Sequence, residues 1–314
     1  MEQPEQKNNL SIPLVAFNIS LVALVLSLGL LIYKIDTKKQ DTIATVDFKK
    51  ESVFVEPRVE AKSYVIWDIN EKKVIAEKNA DTIRPLASVT KVMSAFVARE
   101  MLPKESEIVI RKEFLQEDGD SGLRDGEVFK LSDLLDLSLI VSSNDGARAI
   151  ASVAGAFRQG NRDYTLGRAE FIKQMNFKAR ELELATLSFT NETGLDNTNG
   201  TTGGIGSALD TAKLFGIVLS EYPDLLEATH KETEEVYSAQ YVHTAINTNT
   251  SLGDIPNIIG SKTGLTAMAG GNLVVVFDAG FGKPIAIVVL GSTTEGRFTD
   301  VVSLASSTLQ YINQ

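Results

Sequence analysis

The sequence contains no cysteine and only two histidines, His230 and His243. A chain without cysteine has no disulfide, no thiolate nucleophile, no cysteine-ligated zinc or iron–sulfur site and no lipid-modified N-terminal cysteine. A Ser-His-Asp triad or a multi-histidine metal site has to use one of the two histidines, or it is absent. The sequence therefore excludes thiol chemistry and restricts histidine chemistry to two positions.

Basic residues are also few beside acidic ones, 31 against 41, and the formal net charge is −10. Such a charge repels polyanions, so nucleic acid is not expected as a main partner. The glycine patterns of P-loop and Rossmann nucleotide sites are missing as well, and the sequence predicts neither a cofactor nor a metal. With 314 residues and 43% hydrophobic side chains, the chain is long and apolar enough for a globular core.

One long stretch, residues 10–33, contains no charged residue. A hydrocarbon layer is crossed by ~20 apolar residues, so this stretch predicts a transmembrane anchor after a short tail, residues 1–9. A polar linker, residues 34–57, follows. The alternative is a cleaved signal peptide. It is less favoured because Lys34 and Asp36, rather than small residues, follow the apolar run.

The lysines around this stretch bear on its orientation. Lys7 precedes it, whereas Lys34, Lys38 and Lys39 follow it. The excess of lysine on the C-terminal side favours a cytoplasmic location for the large domain, although this rule weakens when the following domain is long.

From residue 58 onward, the pattern predicts strands at both ends of the domain and helices in its middle. The predicted strands cover residues 63–68, 74–77, 273–277 and 285–290. The predicted helices follow Pro85 through Val97, occupy 131–157 with a break at 142–144, and cover 168–182, 208–221 and 298–312. An aperiodic loop covers 191–206. This order predicts an α+β domain, residues 58–314, whose antiparallel sheet is completed by the two chain ends around a helical insert.

Ser88-Val89-Thr90-Lys91 stands at the start of the helix after Pro85. Residues three apart lie on the same side of a helix, so Lys91 can reach the Ser88 hydroxyl. An amine whose pKa is lowered by burial or by a second cation can act as the base that activates a serine nucleophile. Taken alone, the motif is weak, and an ordinary surface helix pair is its more common explanation.

Two further motifs accompany it. Ser142-Ser143-Asn144 lies in the predicted helix break, where Ser143 can cap the next helix and leave Ser142 and Asn144 free to point into a cleft. Lys262-Thr263-Gly264 follows an apolar run, on what is predicted to be an edge strand with unpaired backbone groups for a bound peptide. There Gly264 allows a ligand to approach closely, and Lys262 supplies a second cation. An ordinary cap and an ordinary edge lysine are the simpler explanations of these two motifs.

Each motif occurs once, and the order Ser-x-x-Lys, Ser-x-Asn, Lys-Thr-Gly is the signature of penicillin-binding proteins and class A β-lactamases. Over about residues 60–312, the sequence resembles the D-alanyl-D-alanine carboxypeptidases among the low-molecular-mass penicillin-binding proteins. The similar segments are residues 79–91, 141–145, 189–196, 207–210, 260–266 and 269–273.

The resemblance implies a serine β-lactamase/transpeptidase-like fold, with a five-stranded antiparallel sheet flanked by helices and an α-helical insert. By the same resemblance, Ser88 is the acylated nucleophile and Lys91 its base. Ser142 relays a proton to the leaving D-alanine, and Asn144 holds the substrate amide and Lys91.

The same resemblance assigns the substrate's terminal carboxylate to Lys262 and Thr263, with Arg297 as a further partner. It assigns the oxyanion hole to the backbone N–H groups of Ser88 and Leu265. Leu265 departs from the family, where an aromatic residue or histidine is frequent, but only its backbone is required here. The C-terminal β-domain and membrane-binding helix of many members have no counterpart in the sequence, so anchoring is assigned to the N-terminal segment.

The implied activity is that of a serine D-alanyl-D-alanine carboxypeptidase. It acts on peptidoglycan stem peptides ending in D-Ala-D-Ala, serves cell wall biogenesis and cell shape, and is inhibited by β-lactams. This substrate lies outside the cytoplasmic membrane. We therefore expect a single-pass protein of the cell membrane with an extracytoplasmic catalytic domain, against the lysine count.

Three alternatives remain open. The first is a DD-endopeptidase of peptidoglycan cross-links, which the sequence does not distinguish from a carboxypeptidase. The second is a class A-like β-lactamase, because the stretch from Glu192 to Asp196 resembles the loop that supplies a deacylating carboxylate. We expect Glu192 to be an ordinary solvated loop residue instead. The third is an inactive, anchored binding domain, although none of the motifs is disrupted.

Overall fold

The computed structural model describes residues 22–35 and 53–314, which fall into two compact units. In the first unit, residues 22–35 form a helix, α1, whose side chains are exposed. Residues 10–21 of the predicted anchor lie outside the described residues, as do the predicted tail, 1–9, and residues 36–52 of the predicted linker. Within the described parts of the chain, no helix is both long and apolar enough to cross a membrane.

The second unit extends from Ser52 to Gln314, so it begins before the predicted domain boundary at residue 58. Residues 53–57 belong to it through side-chain contacts. The Phe54 ring packs edge-on against Tyr311 with centroids 6.1 Å apart, and the Tyr64 hydroxyl donates a hydrogen bond to Glu56 at 2.6 Å. The polar composition of the predicted linker gave no sign of these two contacts, which involve residues distant in sequence or of opposite character.

A five-stranded antiparallel sheet forms the centre of this unit, as predicted. Its strands are β1 (Ser63–Asp68), β2 (Lys73–Lys78), β10 (Ile258–Thr266), β11 (Gly270–Asp278) and β12 (Pro284–Ser292). They lie in the order β10-β11-β12-β1-β2, so strands from both ends of the domain meet at the β12–β1 pair. The strand β10, which carries Lys262-Thr263-Gly264, is an edge strand, as the sequence predicts.

Both faces of the sheet are covered, which explains why its central strands are continuously apolar. On β11, Val274 and Val276 point into a core shared with the helical insert, while Val275 and Phe277 point into a second core beneath the last helix. Side chains alternate between the two faces of a strand, so a strand buried on both sides contains few polar residues.

Six helices of the domain match the predicted ones closely: α2 (Thr90–Met101), α3 (Leu131–Ile140), α4 (Asn144–Gln159), α5 (Tyr164–Glu181), α6 (Ala208–Glu221) and α8 (Gly296–Ile312). One further short helix, α7 (Asp224–Glu227), was not predicted. The helix α8 covers one face of the sheet, and α6 with the helical insert covers the other. Residues 90–98 of α2 are all buried, which is typical of a helix surrounded by protein.

Several short strands were not predicted. They are β3 (Arg84–Pro85), β4 (Glu107–Val109), β5 (Val128–Lys130), β6 (Ser188–Phe189), β7 (Gly204–Gly206), β8 (Thr233–Tyr237) and β9 (Val242–Ile246). Most have two or three residues, too few to show a period of two. The hairpin β8–β9 is longer, but most of its side chains are exposed, so it lacks a strong apolar signal.

Candidate active site

Ser88 lies in a 3-10 turn, Ala87–Val89, that leads directly into α2. The sequence predicts Ser88 at the helix start, and the structure places it two residues before α2 begins. Ala87 has a positive φ of 49°, an unusual conformation for a residue with a side chain. Such backbone strain is concentrated at functional sites and is held in place by the surrounding packing. Here it accompanies the turn that presents the Ser88 hydroxyl.

Lys91 is buried beside Ser88, with 1% of its surface exposed. Its Nζ lies 2.9 Å from Ser88 Oγ and donates hydrogen bonds to Asn144 Oδ1 at 2.7 Å and to the Thr193 carbonyl at 2.9 Å. Burial lowers the pKa of this amine to about 7, and the nearby carboxylates of Glu192 and Glu117 act in the opposite direction. Lys91 therefore has both the position and the pKa of a general base at neutral pH.

The break between α3 and α4 brings the second motif to the same place. Ser143 caps α4 by accepting a hydrogen bond from the Gly146 N–H at 2.9 Å, which confirms the predicted cap. Ser142 has a positive φ of 62°, and its hydroxyl lies 2.9 Å from Lys262 Nζ. Asn144 is hydrogen-bonded to Lys91 of the first motif, and Ser142 to Lys262 of the third. The break between α3 and α4 therefore contacts both of the other motifs.

The edge strand β10 supplies the third motif. Lys262 is 2% exposed and also donates to the Thr263 carbonyl at 3.0 Å. Burial, together with the charges of Lys91 and Arg297, lowers the pKa of Lys262 well below its usual range. The Thr263 hydroxyl is hydrogen-bonded to that of Thr248 at 2.6 Å.

The surroundings of Gly264 leave no room for a side chain. A Cβ at this position would lie 2.8 Å from the Leu86 carbonyl oxygen and 3.2 Å from the Ser88 backbone nitrogen. The glycine therefore allows β10 to pack against the turn that carries Ser88. The neighbouring residue, Leu265, is 46% exposed.

Arg297 lies in the first turn of α8 and is largely buried. Its Nη1 donates to the Gly264 carbonyl at 2.9 Å, which ties α8 to β10. Together with Lys91 and Lys262 it makes three basic side chains close to one another. Such a cluster favours an anionic ligand group, because a nearby negative charge stabilises the protonated form of a buried amine.

A groove of about 620 Å³ opens beside Ser142 and Asn144. Its walls are the loop 118–124, the α3–α4 break and β9. The Asn144 side-chain amide donates to the Asp118 carbonyl at 2.5 Å, so the loop is tied to the catalytic motifs. A second cavity, of about 670 Å³, is bounded by Trp67 and Ile217 among others and contains none of the predicted site residues.

The two histidines are placed elsewhere. His243 lines the groove, and its Nε2 lies 2.5 Å from Glu127 Oε1. His230 ends a short 3-10 turn, Ala228–His230, and lines a different cavity with Ile258. The base in contact with Ser88 is thus a lysine, as the Ser-x-x-Lys motif predicts.

Glu192 is the clearest departure from the sequence prediction. It was expected to be solvated, yet its exposed fraction is 0%, and both carboxylate oxygens accept hydrogen bonds from Arg168 Nε at 2.9 Å. The prediction of a solvated loop carboxylate was therefore wrong. Glu192 can be buried because Arg168 of α5, which is distant in sequence, supplies a partner for its charge.

Comparisons with known proteins agree with this geometry. A family model described as D-alanyl-D-alanine carboxypeptidase (peptidase S11) matches residues 50–294. The chain is 32% identical to a D-alanyl-D-alanine endopeptidase of Escherichia coli over 250 residues, which cover 78% of this chain and 74% of the relative. It is 30% identical to the D-alanyl-D-alanine carboxypeptidase DacC of Escherichia coli over 272 residues, covering 82% of this chain and 63% of that protein.

Among solved structures, the chain is similar to penicillin-binding protein D2 of Listeria monocytogenes in its cefotaxime-bound form. The TM-score is 0.67 with 25% sequence identity, and the match covers 81% of this chain and 98% of that one.

Proposed function

Because the chain belongs to the D-alanyl-D-alanine carboxypeptidase family of serine peptidases, we propose that it removes the terminal D-alanine from peptidoglycan stem peptides through an ester on Ser88. The observation that carries this proposal is the contact between Lys91 Nζ and Ser88 Oγ at 2.9 Å, with the amine buried and its pKa lowered to about 7. A serine with an adjacent base of this kind is an activated nucleophile.

In the acylation step, neutral Lys91 takes the proton from Ser88 as its oxygen attacks the carbonyl carbon of the penultimate D-alanine. The backbone N–H groups of Ser88 and Leu265 stabilise the oxyanion. Asn144 holds Lys91 through its Oδ1, while its amide nitrogen donates to the Asp118 carbonyl in the groove wall. The carbon–nitrogen bond then breaks, and the leaving amine needs a proton.

The proton that Lys91 took from Ser88 passes through the Ser142 hydroxyl to the departing D-alanine, so Lys91 is again a free base. Lys262 Nζ holds the Ser142 hydroxyl at 2.9 Å. Lys262, Thr263 and Arg297 bind the terminal carboxylate of the substrate, which fits the concentration of cationic groups at β10. Water then hydrolyses the Ser88 ester, and the base is restored.

Penicillin enters the same cycle as an acylating inhibitor in this proposal. The similar penicillin-binding protein D2 was solved with cefotaxime bound, which supports a β-lactam-binding site here. A class A-like β-lactamase would need a carboxylate that activates water at the ester. Glu192 is the lookalike, but both its oxygens accept from Arg168, so we assign it no deacylating role.

The second candidate function is a DD-endopeptidase, because the endopeptidase of Escherichia coli is 32% identical and is matched over 74% of its length. The test is to incubate the full chain in detergent with a stem pentapeptide and, separately, with a cross-linked stem-peptide dimer, and to follow product masses. A carboxypeptidase releases free D-alanine from the pentapeptide, whereas an endopeptidase splits the dimer. Cleavage of neither substrate by protein that still reacts with penicillin would contradict both functions.

We further propose that the N-terminal segment anchors the chain as a single-pass helix of the cell membrane with the catalytic domain outside. The apolar run of residues 10–33 and the extracytoplasmic position of peptidoglycan support this orientation, although the lysine count opposes it.

This orientation predicts the behaviour of reporters fused after Gln314. A reporter that is active only outside the cytoplasm should give full signal in the fusion, because the domain that precedes it has been translocated. A reporter that is active only in the cytoplasm should give background signal. The reverse pair of results would contradict the proposed orientation.

A further inference from the structure

The pair of Arg168 and Glu192 joins α5 to the loop that contacts Lys91. Glu192 has no exposed surface, and the guanidinium of Arg168 binds both of its oxygens. The Glu192 carbonyl accepts a hydrogen bond from Ser94 Oγ, three residues after Lys91 on α2, at 2.7 Å. Backbone and side chain of this one residue are therefore both fixed, one to α2 and the other to α5.

The next residue completes the connection to the base. The Thr193 carbonyl accepts a hydrogen bond from Lys91 Nζ at 2.9 Å. Glu192 thus places one of the oxygens that hold Lys91 and sets a negative charge close to its amine. Burial of the amine favours its neutral form, and the Glu192 charge favours the protonated form.

Other charged groups surround this pair. From the loop before the groove, Glu117 binds Arg168 at 3.3 Å and Arg148 of α4 at 2.6 Å. Asp145 of α4 accepts the Glu117 backbone N–H at 3.0 Å. Lys262 of β10 lies close enough to Lys91 and to Arg297 of α8 for their charges to lower its pKa. Burial lowers the pKa of Lys91, and Glu192 and Glu117 are the carboxylates that raise it.

We propose that Glu192, held by Arg168, is a positioning residue for Lys91, because it fixes the backbone that presents the Thr193 carbonyl to the amine. This inference rests on the proposed function, in which Lys91 is the base of acylation. The negative charge of Glu192 also favours the protonated form of Lys91. The pair of Arg168 and Glu192 therefore sets the lowest pH at which Lys91 can act as the base of acylation.

The variant Glu192→Gln tests this proposal because it removes the charge and keeps the shape. Arg168 retains its contact with Glu117, so no buried cation is left without a partner. Without the negative charge, the pKa of Lys91 falls further. In the wild-type protein, the acylation rate is expected to rise with pH around pH 7, as Lys91 loses its proton. In the variant, this rising part of the pH profile, the acid limb, should move down by about one pH unit.

The measurement is the second-order rate of labelling by a fluorescent penicillin between about pH 5 and pH 9, with the full chain in detergent. At about pH 6, the variant should retain about fivefold more of its own plateau rate than the wild-type protein does. The plateau itself should fall, because a less basic amine is a weaker general base.

Glu100→Gln is the matched control. Glu100 also lies on α2 and pairs with a cation of α5, Lys178, at 2.6 Å. It lies about 13 Å along the helix from Lys91, so its loss changes the net charge equally without moving the acid limb. The double variant Arg168→Gln/Glu192→Gln removes both charges of the pair and should shift the limb in the same direction as Glu192→Gln.

A downward shift in Glu192→Gln or the double variant, but not in the control, supports the proposal. An acid limb that stays in place in folded variants while the plateau falls would restrict the pair to a structural role. Failure of both variants to fold would also overturn the proposal. Failure of the proposed function looks different, because the wild-type protein would then show no labelling at Ser88.

Discussion

Replacement of Ser88 by alanine is expected to abolish acylation by penicillin and release of D-alanine while leaving the fold intact. The serine oxygen is the atom that forms the ester, so no other group on the chain replaces it. The variant loses one hydrogen-bonded contact, to Lys91. The midpoint of thermal unfolding should therefore change by no more than about 4 °C. Gel labelling with a fluorescent penicillin and circular dichroism measure the two effects.

Ser306→Ala is a suitable control for this substitution, because Ser306 is an exposed residue of α8 whose hydroxyl donates to the Val302 carbonyl of the same helix. It should label like the wild-type protein. Specific labelling that persists in Ser88→Ala and maps to another residue would show that the nucleophile has been assigned to the wrong side chain.

Loss of Lys91 should be nearly as severe. Lys91→Ala removes the amine that lies 2.9 Å from Ser88 Oγ, and Lys91→Met does so with less change in volume. General-base catalysis is worth about 10²–10⁴-fold, so the acylation rate should fall by at least two orders of magnitude. Base and nucleophile act as a unit, so the double variant with Ser88→Ala should be no worse than Ser88→Ala alone.

Lys173→Met is the matched control, since Lys173 is an exposed lysine of α5, 73% accessible at its side chain. Its acylation rate should equal that of the wild-type protein. A folded Lys91 variant with a rate within about tenfold of wild type would show that another group removes the serine proton.

The sequence predicts the sheet and the three motifs well, because both depend on local patterns. The strand β1 has the predicted bounds, Ser63–Asp68, since a short apolar run between polar turns identifies a buried strand. Ser143 was predicted as a cap from residue type alone, and the cap forms. The spacing of Ser88 and Lys91 predicts their contact because it involves a single helical turn.

Contacts between residues distant in sequence could not be predicted in the same way. The bond from Lys91 to the Thr193 carbonyl uses a backbone atom, which leaves no signal in residue type. The burial of Glu192 depends on Arg168, and the sequence shows nothing that pairs them. A glutamate in a polar loop is usually solvated, so this general rule predicts an exposed Glu192, whereas the residue is buried.

The groove beside the site shows the same limit. It is formed by the loop 118–124 and the hairpin that contains β9, two segments far apart along the chain. Their residues have neither a period nor a motif that indicates a shared wall. The pairing becomes visible only in the fold, where Asn144 binds the Asp118 carbonyl.

The lifetime of the penicillin ester tests the central claim most directly. The full chain is exposed briefly to penicillin, free drug is removed, and intact-mass spectrometry follows the adduct, which is then mapped by peptide mass. We predict one penicillin per chain, attached to Ser88 and persisting for many minutes, while a D-alanyl peptide is turned over. Attachment at another residue, or loss of the adduct within seconds that Glu192→Ala prevents, would contradict the account and identify a β-lactamase in the second case.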